Sequence, residues 1–208
     1  MTITEPATLI TDYLLAAFTA ALAWRLLKQF RTTGVRSKYW WAAAFAASAV
    51  ASFTGGTVHG FSAVLSRSIT DALWIVAMES LVVAAYCLIR AALPAMGTAV
   101  SLTIAAGYGA YGVWLACVWL ASNPPFVFAI AAYACALAIL AVVSLQTWTS
   151  NAPASRLFAG GIAISVVAAA IQQGRVSPHE YFNHNDLYHV VQAAGLWVLY
   201  LGGLGSRR

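Results

Sequence analysis

Three histidines and a carboxylate near them are the residues of this chain best suited to carry chemistry. The stretch 183–192 reads NHNDLYHVVQ and contains His184 and His189 with Asp186 between them, while His59 closes an apolar segment near the other end of the chain. Imidazole and carboxylate groups suit zinc, and a catalytic zinc keeps three protein ligands and one open position for water. We therefore expect His59 and two groups of this stretch to hold a zinc ion.

Spacing within the last segment decides which of its groups can act together. In a helix, Asp186 and His189 are three residues apart and share a face, whereas His184 and His189 are five apart and do not. His184 joins the site if it precedes the first regular turn or reaches back from a cap that a neighbouring asparagine forms. The predicted metal ligands are then His59, His184 and His189. Asp186 is expected to handle protons, with a first-turn carboxylate that complements the helix dipole as the alternative.

Three more polar residues inside apolar segments are candidates for supporting roles. Asp71 opens the third apolar segment, and Glu79 lies roughly 12 Å deeper along a helix with a rise of 1.5 Å per residue. Either carboxylate could orient a metal ligand or activate a bound water. Ser52 lies one helical face below His59, where a serine more often bonds back to its own helix than takes part in a reaction. Asp71, Glu79 and Ser52 are therefore predicted catalytic residues beside Asp186.

Composition determines the class of protein that must position these groups. The chain has 208 residues, of which 62% are hydrophobic and 8% are charged, against roughly 25% charged residues in a soluble domain. With a mean hydropathy of +0.78, the chain is expected to be an integral membrane protein. Its net charge of +5 comes from Lys and Arg dispersed at segment ends, so we predict no nucleic-acid partner. The cysteines show no CxxC spacing and are expected to pack as small residues.

Seven apolar segments divide the chain, each long enough to cross a bilayer as a helix. An Asn-Pro-Pro sequence at 123–125 predicts a tight turn after the fourth. The short connections leave no room for a soluble catalytic domain, so residues 1–208 are predicted to form one all-α transmembrane bundle. The predicted segments are 9–27, 39–61, 70–93, 96–121, 126–148, 156–172 and 185–204.

Basic residues predict the orientation of this bundle. The first connection contains five Lys and Arg residues between 25 and 38, and later connections on that side add Arg90 and Arg156. The opposite side contains only Arg67 and Arg175. The positive-inside rule then places the N-terminus outside and the C-terminus in the cytoplasm. Short loops and abundant alanine suggest a bacterial inner membrane, with the site on the extracytoplasmic side.

This orientation places every histidine and every acidic residue in the outer half of the protein. A polar rim that merely meets the solvent is an alternative explanation for Glu5, Asp12 and Glu180. It applies less well to Glu79 and His189, which lie deeper. Ionisable groups within a membrane segment are costly and are functional candidates by default.

The order of these residues resembles the alkaline ceramidase and adiponectin-receptor superfamily (CREST) of intramembrane hydrolases. The resemblance rests on seven helices, His59 closing the second, Asp71 opening the third about a dozen residues later, and histidines opening the seventh. It implies a zinc ion held by one histidine of the second helix and two of an HxxxH motif on the seventh. It also implies a supporting serine and aspartate, and hydrolysis of a lipid amide.

By position, His59 matches the first ligand, Asp71 the aspartate, and His189 the second histidine of the HxxxH motif. The chain departs from the family pattern at two positions. Asn185 stands at the first position of that motif, with His184 one residue away, and Gly55 stands where the family has its serine.

The leading hypothesis is a zinc-dependent hydrolase that cleaves an amide or ester of a membrane lipid or lipid-like substrate at the outer face. A first alternative is a proton-coupled transporter or channel that uses Glu79 and the histidines as titrating groups. A second is a b-type haem protein with His59 and His189 as axial ligands. A receptor or structural bundle without chemistry is a further alternative. The sequence makes no prediction of oligomeric state.

Overall fold

Every regular element in the described part of the chain is an α-helix. The computed structural model describes residues 3–93, 97–122 and 126–205. Extended pairing within these ranges is confined to an isolated antiparallel bridge between His179 and Phe182. The predicted seven-helix, all-α fold is therefore confirmed. The helices are α1 (Pro6–Thr33), α2 (Arg36–Phe61), α3 (Arg67–Ala92), α4 (Thr98–Ser122), α5 (Val127–Gln146), α6 (Ala152–Gln173) and α7 (His184–Leu204).

All seven helices are long and apolar enough to cross a membrane. The chain is thus an integral membrane protein, as its composition predicted. Most helices extend a few residues beyond the apolar segments, since helix ends are set by caps as well as by hydropathy. Pro6 stands at the start of α1, and Gly34 ends it in the left-handed conformation with φ 69°. The turn predicted at 123–125 and the predicted start of the fourth segment at Met96 lie outside the described residues.

Six of the helices contact one another in the order α1, α2, α3, α5, α6 and α7, α7 returns to contact α1, and α4 packs against α3. Contacts run from α1 to α2 and from α2 to α3, which touches both α4 and α5, while α6 lies between α5 and α7. On α4, the hydroxyls of Tyr108 and Tyr111 donate to backbone carbonyls of α5. We call the end at which α1, α3, α5 and α7 begin the N-terminal end of the bundle. The first, second and last helices meet there.

Two glycines of α2 allow α1 to approach closely at this end. A Cβ at position 56 would lie 2.6 Å from the Cβ of Asp12, and one at position 60 would lie 2.9 Å from the side chain of Leu9. Gly56 and Gly60 are four residues apart and form a small-xxx-small contact typical of membrane helices. Because the Cβ of Asp12 packs against Gly56, Asp12 is held about one turn of α2 away from His59.

Candidate active site

A cavity of about 240 Å³ opens at the N-terminal end of the bundle among α1, α2, α3 and α7. Its walls combine aromatic and small apolar residues with several groups that can hydrogen-bond, ionise or bind a metal. Such a combination is typical of binding sites, where a few polar groups in an apolar wall fix the orientation of a ligand. The polar residues of the lining are Asp12, Ser52, His59, Gln172, Asn185, Tyr188 and His189.

His189 is held on both sides by residues of α1. Its Nε2 atom lies 3.2 Å from Oδ1 of Asp12, and its Nδ1 atom lies 3.0 Å from Oγ1 of Thr11. Both members of the Asp12–His189 pair are buried, with Asp12 only 4% exposed. The pair lies well inside the bundle, so the solvated-rim alternative does not apply to Asp12.

The hydrogen bonds of Thr11 indicate where the protons of His189 lie. The Thr11 hydroxyl is 3.1 Å from the carbonyl oxygen of Thr8, which can only accept its hydrogen. When that bond is made, Nδ1–H of His189 donates to Oγ1 of Thr11, and a proton or a cation lies between Nε2 of His189 and the Asp12 carboxylate. When the hydroxyl donates to Nδ1 instead, Nε2–H of His189 donates to Asp12.

His59 is held from behind by the residue that precedes α1. Its Nδ1–H group donates to Oε1 of Glu5 at 3.3 Å, and its ring packs edge-on against Trp74 with the centroids 5.4 Å apart. The hydrogen bond from His59 lowers the pKa of Glu5 below its usual value. No hydrogen bond to Nε2 of His59 is found within the described residues, and the imidazole lines the cavity.

Backbone hydrogen bonds fix the segment that carries Glu5. The amide of Thr4 donates to the carbonyl of Gly60 at 3.0 Å, and the amide of Glu5 donates to the carbonyl of His59 at 3.2 Å. These bonds satisfy carbonyls at the C-terminal end of α2 that have no partner within the helix. The segment before α1 is therefore pinned across the end of α2, directly behind His59.

A capping box determines where α7 begins and where His189 points. The side chain of Asn183 accepts a hydrogen bond from the amide of Asn185 at 2.7 Å, and Oδ2 of Asp186 accepts one from the amide of Asn183 at 2.7 Å. Thr11 lies 3.4 Å from the other oxygen of Asp186, which links α1 to α7. Asp186 is fully buried, and it stabilises the first turn of the helix that carries His189.

A second pair of polar side chains lies on the α6 and α7 side of the cavity. Nε2 of Gln172 donates to Oδ1 of Asn185 at 2.8 Å. The side-chain nitrogen of Asn185, Nδ2, then remains available as a donor. Oε1 of Gln172 is buried and has no hydrogen-bond partner in the described part of the chain. The cavity therefore contains an unused acceptor and an unused donor close together.

The structure brings some of the predicted site residues together and leaves others apart. His59, His189 and Ser52 line the cavity. Asp186 lies next to it as a cap, and His184 is the first residue of α7, with its amide bound to Ser177 at 3.1 Å.

Asp71 and Glu79 lie away from the cavity lining. Asp71 forms an i, i+4 pair with the exposed Arg67 at 3.8 Å, and Glu79 packs against Gly112 of α4. The catalytic roles suggested for Asp71, Glu79, Ser52 and Asp186 stay predictions, as does a ligand role for His184.

Sequence reasoning did not assign roles to Asp12, Thr11 and Glu5, which hold the two histidines. One signal was present: Glu5, Thr8 and Asp12 are spaced i, i+3 and i+7, which aligns them on one face of a helix. A polar face at the start of an otherwise apolar segment indicates a buried polar contact with a neighbouring helix. Which helix it meets depends on packing that the pattern of one segment does not contain.

The donor atoms at this site suit a divalent metal, although a complete ligand set is not assembled. In the described residues, no three histidine, cysteine, aspartate or glutamate side chains surround one point at metal-ligand distance. Asp12 and His189 come near the required geometry, because two ligands of a tetrahedral zinc are about 3.3 Å apart and these atoms are 3.2 Å apart. Both histidines also use Nδ1 for an orienting partner, as metal-binding histidines do.

A second, apolar cavity of about 270 Å³ continues from the first between α2, α5, α6 and α7. The residues that line both cavities are Leu15, Ser52, Leu81, Phe126 and Tyr188. A polar site therefore lies beside a long apolar one.

Fold and site together define a class: an integral membrane bundle of seven helices with two histidine–carboxylate pairs, one of them buried, at one end. The chain belongs to the family of unknown function DUF6962, whose family profile matches residues 7–208. A search of the curated proteins finds no match. Neither result links the chain to the ceramidase and adiponectin-receptor superfamily, so that resemblance stays a prediction.

Proposed function

We propose that this protein is an intramembrane hydrolase that cleaves an amide or ester bond of a lipid in the cavity at the N-terminal end of the bundle. The observation that carries the proposal is the buried contact between Asp12 and Nε2 of His189, with His59 in the same cavity wall. Burying ionisable groups in a membrane bundle is costly and is typical of functional sites.

His59, His189 and Asp12 are the residues that would hold a metal ion here. Two imidazoles and one carboxylate make up the ligand set of several catalytic zinc sites. Zinc in such a site supplies Lewis acidity towards a carbonyl oxygen and lowers the pKa of water. Compared with the set predicted from the sequence, this assignment keeps His59 and His189 and replaces His184 with Asp12.

The remaining polar residues would position the histidines and the substrate. Glu5 and Thr11 fix the two imidazole rings through Nδ1, which directs each Nε2 towards the cavity. In the metal-free protein, Asp12 can share a proton with Nε2 of His189, because its carboxylate is within hydrogen-bond distance of that atom. Oε1 of Gln172, which can accept a hydrogen bond, and the side-chain Nδ2 of Asn185, which can donate one, suit the head group of the substrate.

The proposal includes an orientation in which the N-terminal end faces away from the cytoplasm. Among the described residues, Lys and Arg side chains other than Arg67 and Arg175 belong to the opposite end of the bundle. The positive-inside rule supports this orientation. A proton-coupled carrier stays the alternative prediction, but Glu79, its central residue, contacts α4 and not this cavity.

Metal content and lipid hydrolysis, measured on the same preparations, test the proposal. We would compare detergent-purified wild type with His59→Ala, His189→Ala and Asp12→Asn, using His179→Ala as the control because His179 is exposed in the α6–α7 connection. We expect about one zinc per chain in wild type and control, and a loss of zinc and of hydrolysis of fluorogenic lipid amides and esters in the other three. Folded wild-type protein that neither binds metal nor hydrolyses these lipids would overturn the proposal.

A further inference from the structure

The apolar cavity is long and narrow and runs beside α5. The lining on this side runs from Phe126, the residue before α5, to Ala141 of α5 deep in the bundle, which corresponds to about 22 Å at 1.5 Å per residue. Its volume of about 270 Å³ is small for that length, since ligand pockets are roughly 300–1,000 Å³. A single flexible chain fits such a shape better than a ring system or two chains.

The cavity opens sideways between α5 and α6. Ala134 and Ala138 of α5 and Val166 of α6 line the cavity and are also exposed on the outside of the bundle. In a membrane, that outside is the hydrocarbon of the bilayer. The inner end of the opening is closed, because Thr147 at the end of α5 is hydrogen-bonded to Ser155 of α6 at 3.0 Å.

The walls of this cavity offer little to a polar ligand. Most lining residues are aliphatic or aromatic, and the amide nitrogen of Gln192 already donates to Ser165 at 3.3 Å. At its other end the cavity meets the polar one, where Ser52 and Tyr188 line both. A molecule that fills both cavities therefore has a polar head near His59 and His189 and an apolar tail beside α5.

We propose that the substrate is a lipid whose single acyl chain enters between α5 and α6 and lies along α5, and that Ala138 and Ala141 determine the chain length that fits. The proposal deepens the proposed function by naming the substrate class, and it rests on that function for the chemistry at the carbonyl. Binding of the chain itself requires only the apolar cavity, so the two proposals fail separately.

Photolabelling of the cavity tests where the chain binds. The probe is palmitic acid with a diazirine at the end of its chain, added to purified protein, and labelled residues are identified by peptide mass spectrometry. We expect labelling to concentrate on α5 and α6 around Ala138 and Ala141. Ala138→Trp should reduce it roughly tenfold or more, because each buried methylene contributes about fourfold in affinity.

Ala131→Trp is the matched control, because Ala131 lies on the same helix, is exposed and does not line the cavity. It should leave the labelling unchanged. Labelling that is no stronger in the cavity than on the lipid-facing surface of α4, or that Ala138→Trp does not reduce, would show contact with bulk lipid only and would overturn the proposal.

Competition with saturated fatty acids of increasing length tests the length limit. Wild type should favour long chains, and Ala141→Phe should shift the preference towards shorter ones, with about a fourfold loss for each methylene excluded. An unchanged preference in Ala141→Phe would overturn the role of this residue. Labelling of His189→Ala separates the two proposals: labelling at wild-type strength shows that the chain site is intact even where hydrolysis is lost.

Discussion

Two carboxylates within the apolar helices, Asp12 and Glu79, have opposite surroundings. Asp12 contacts an imidazole of α7 at 3.2 Å, and its Cβ packs against Gly56 of α2. Glu79 faces Gly112 of α4, and its Oε1 atom is buried without a hydrogen-bond partner among the described residues. The same chemical group is thus paired in one corner of the bundle and unpaired in another.

The neighbouring helices explain this difference. The face of α1 that meets α7 contains Thr8 and Thr11, and α7 begins with a run of polar residues. By contrast, α4 contains no Asp, Glu, Lys or Arg in its whole length. A carboxylate that packs against α4 therefore meets no charged side chain of that helix. Pairing, more than mere burial, therefore distinguishes the candidate active site from the rest of the membrane interior.

The largest expected difference comes from deleting each carboxylate. Asp12→Ala leaves His189 without its buried partner, and breaking a buried pair of this kind costs about 3 kcal/mol. Glu79→Ala removes an atom that has no partner, so the loss should be about 1 kcal/mol or less. Chemical unfolding of both variants in the same detergent measures the difference. Equal losses of unfolding free energy in the two variants would show that Asp12 is no more strongly paired than Glu79.

Each of the two carboxylates packs against a glycine, Asp12 against Gly56 and Glu79 against Gly112, and alanine at either position adds a methyl group to that contact. Gly56→Ala puts a methyl group 2.6 Å from the Cβ of Asp12, which cannot move without shifting α1, so we expect a loss of about 2 kcal/mol. Gly112→Ala meets only the end of the Glu79 side chain, which can rotate away, and should cost less than about 1 kcal/mol.

Gly55→Ala is the control for both variants. A methyl group there meets nothing within 4 Å, and alanine favours a helix by up to about 1 kcal/mol over glycine. Thermal unfolding should therefore rank Gly55→Ala above wild type and Gly56→Ala lowest. Destabilisation by Gly55→Ala similar to that by Gly56→Ala would indicate that helix α2, and not the contact with α1, is the sensitive feature.

The smallest expected effect concerns pH and the Glu5–His59 hydrogen bond. Because this bond lowers the pKa of Glu5 from its usual 4.5, the stability it contributes is present above about pH 4.5 and is lost as the pH falls through the lower pKa of the folded state. Wild type should be slightly more stable than Glu5→Gln at neutral pH, and the two should converge in acid. Asp71→Asn, which breaks a surface pair, is the control.

Much of the fold could be predicted from the sequence, because hydropathy alone requires seven membrane helices. Two site residues could also be predicted, since four helices separate the end of α2 from the start of α7 and an even number of crossings returns the chain to the same end of the bundle. The pairing of Asp12 with His189 could not, because it depends on the close approach of α1 at Gly56 and on the rotation of α7 about its axis.

The position of His184 depends on the exact residue at which α7 begins. Its place beside two other polar residues suggested a ligand, but helix α7 begins at His184 itself under the cap of Asn183. The side chain then leaves the first turn on a different face from His189, five residues on. One residue of difference in the start of a helix decides which side chain reaches a site, and capping competition of that kind is hard to predict from sequence.

The candidate active site combines residues of α1 and α7, which lie far apart in the sequence, and this has a consequence for biosynthesis. Glu5, Thr11 and Asp12 emerge from the ribosome long before His189. Helices α1 and α2 can pair in the membrane early through Gly56 and Gly60, but the histidine–carboxylate pair forms only when α7 has been inserted. A chain without α7 therefore lacks the buried contact between Asp12 and His189.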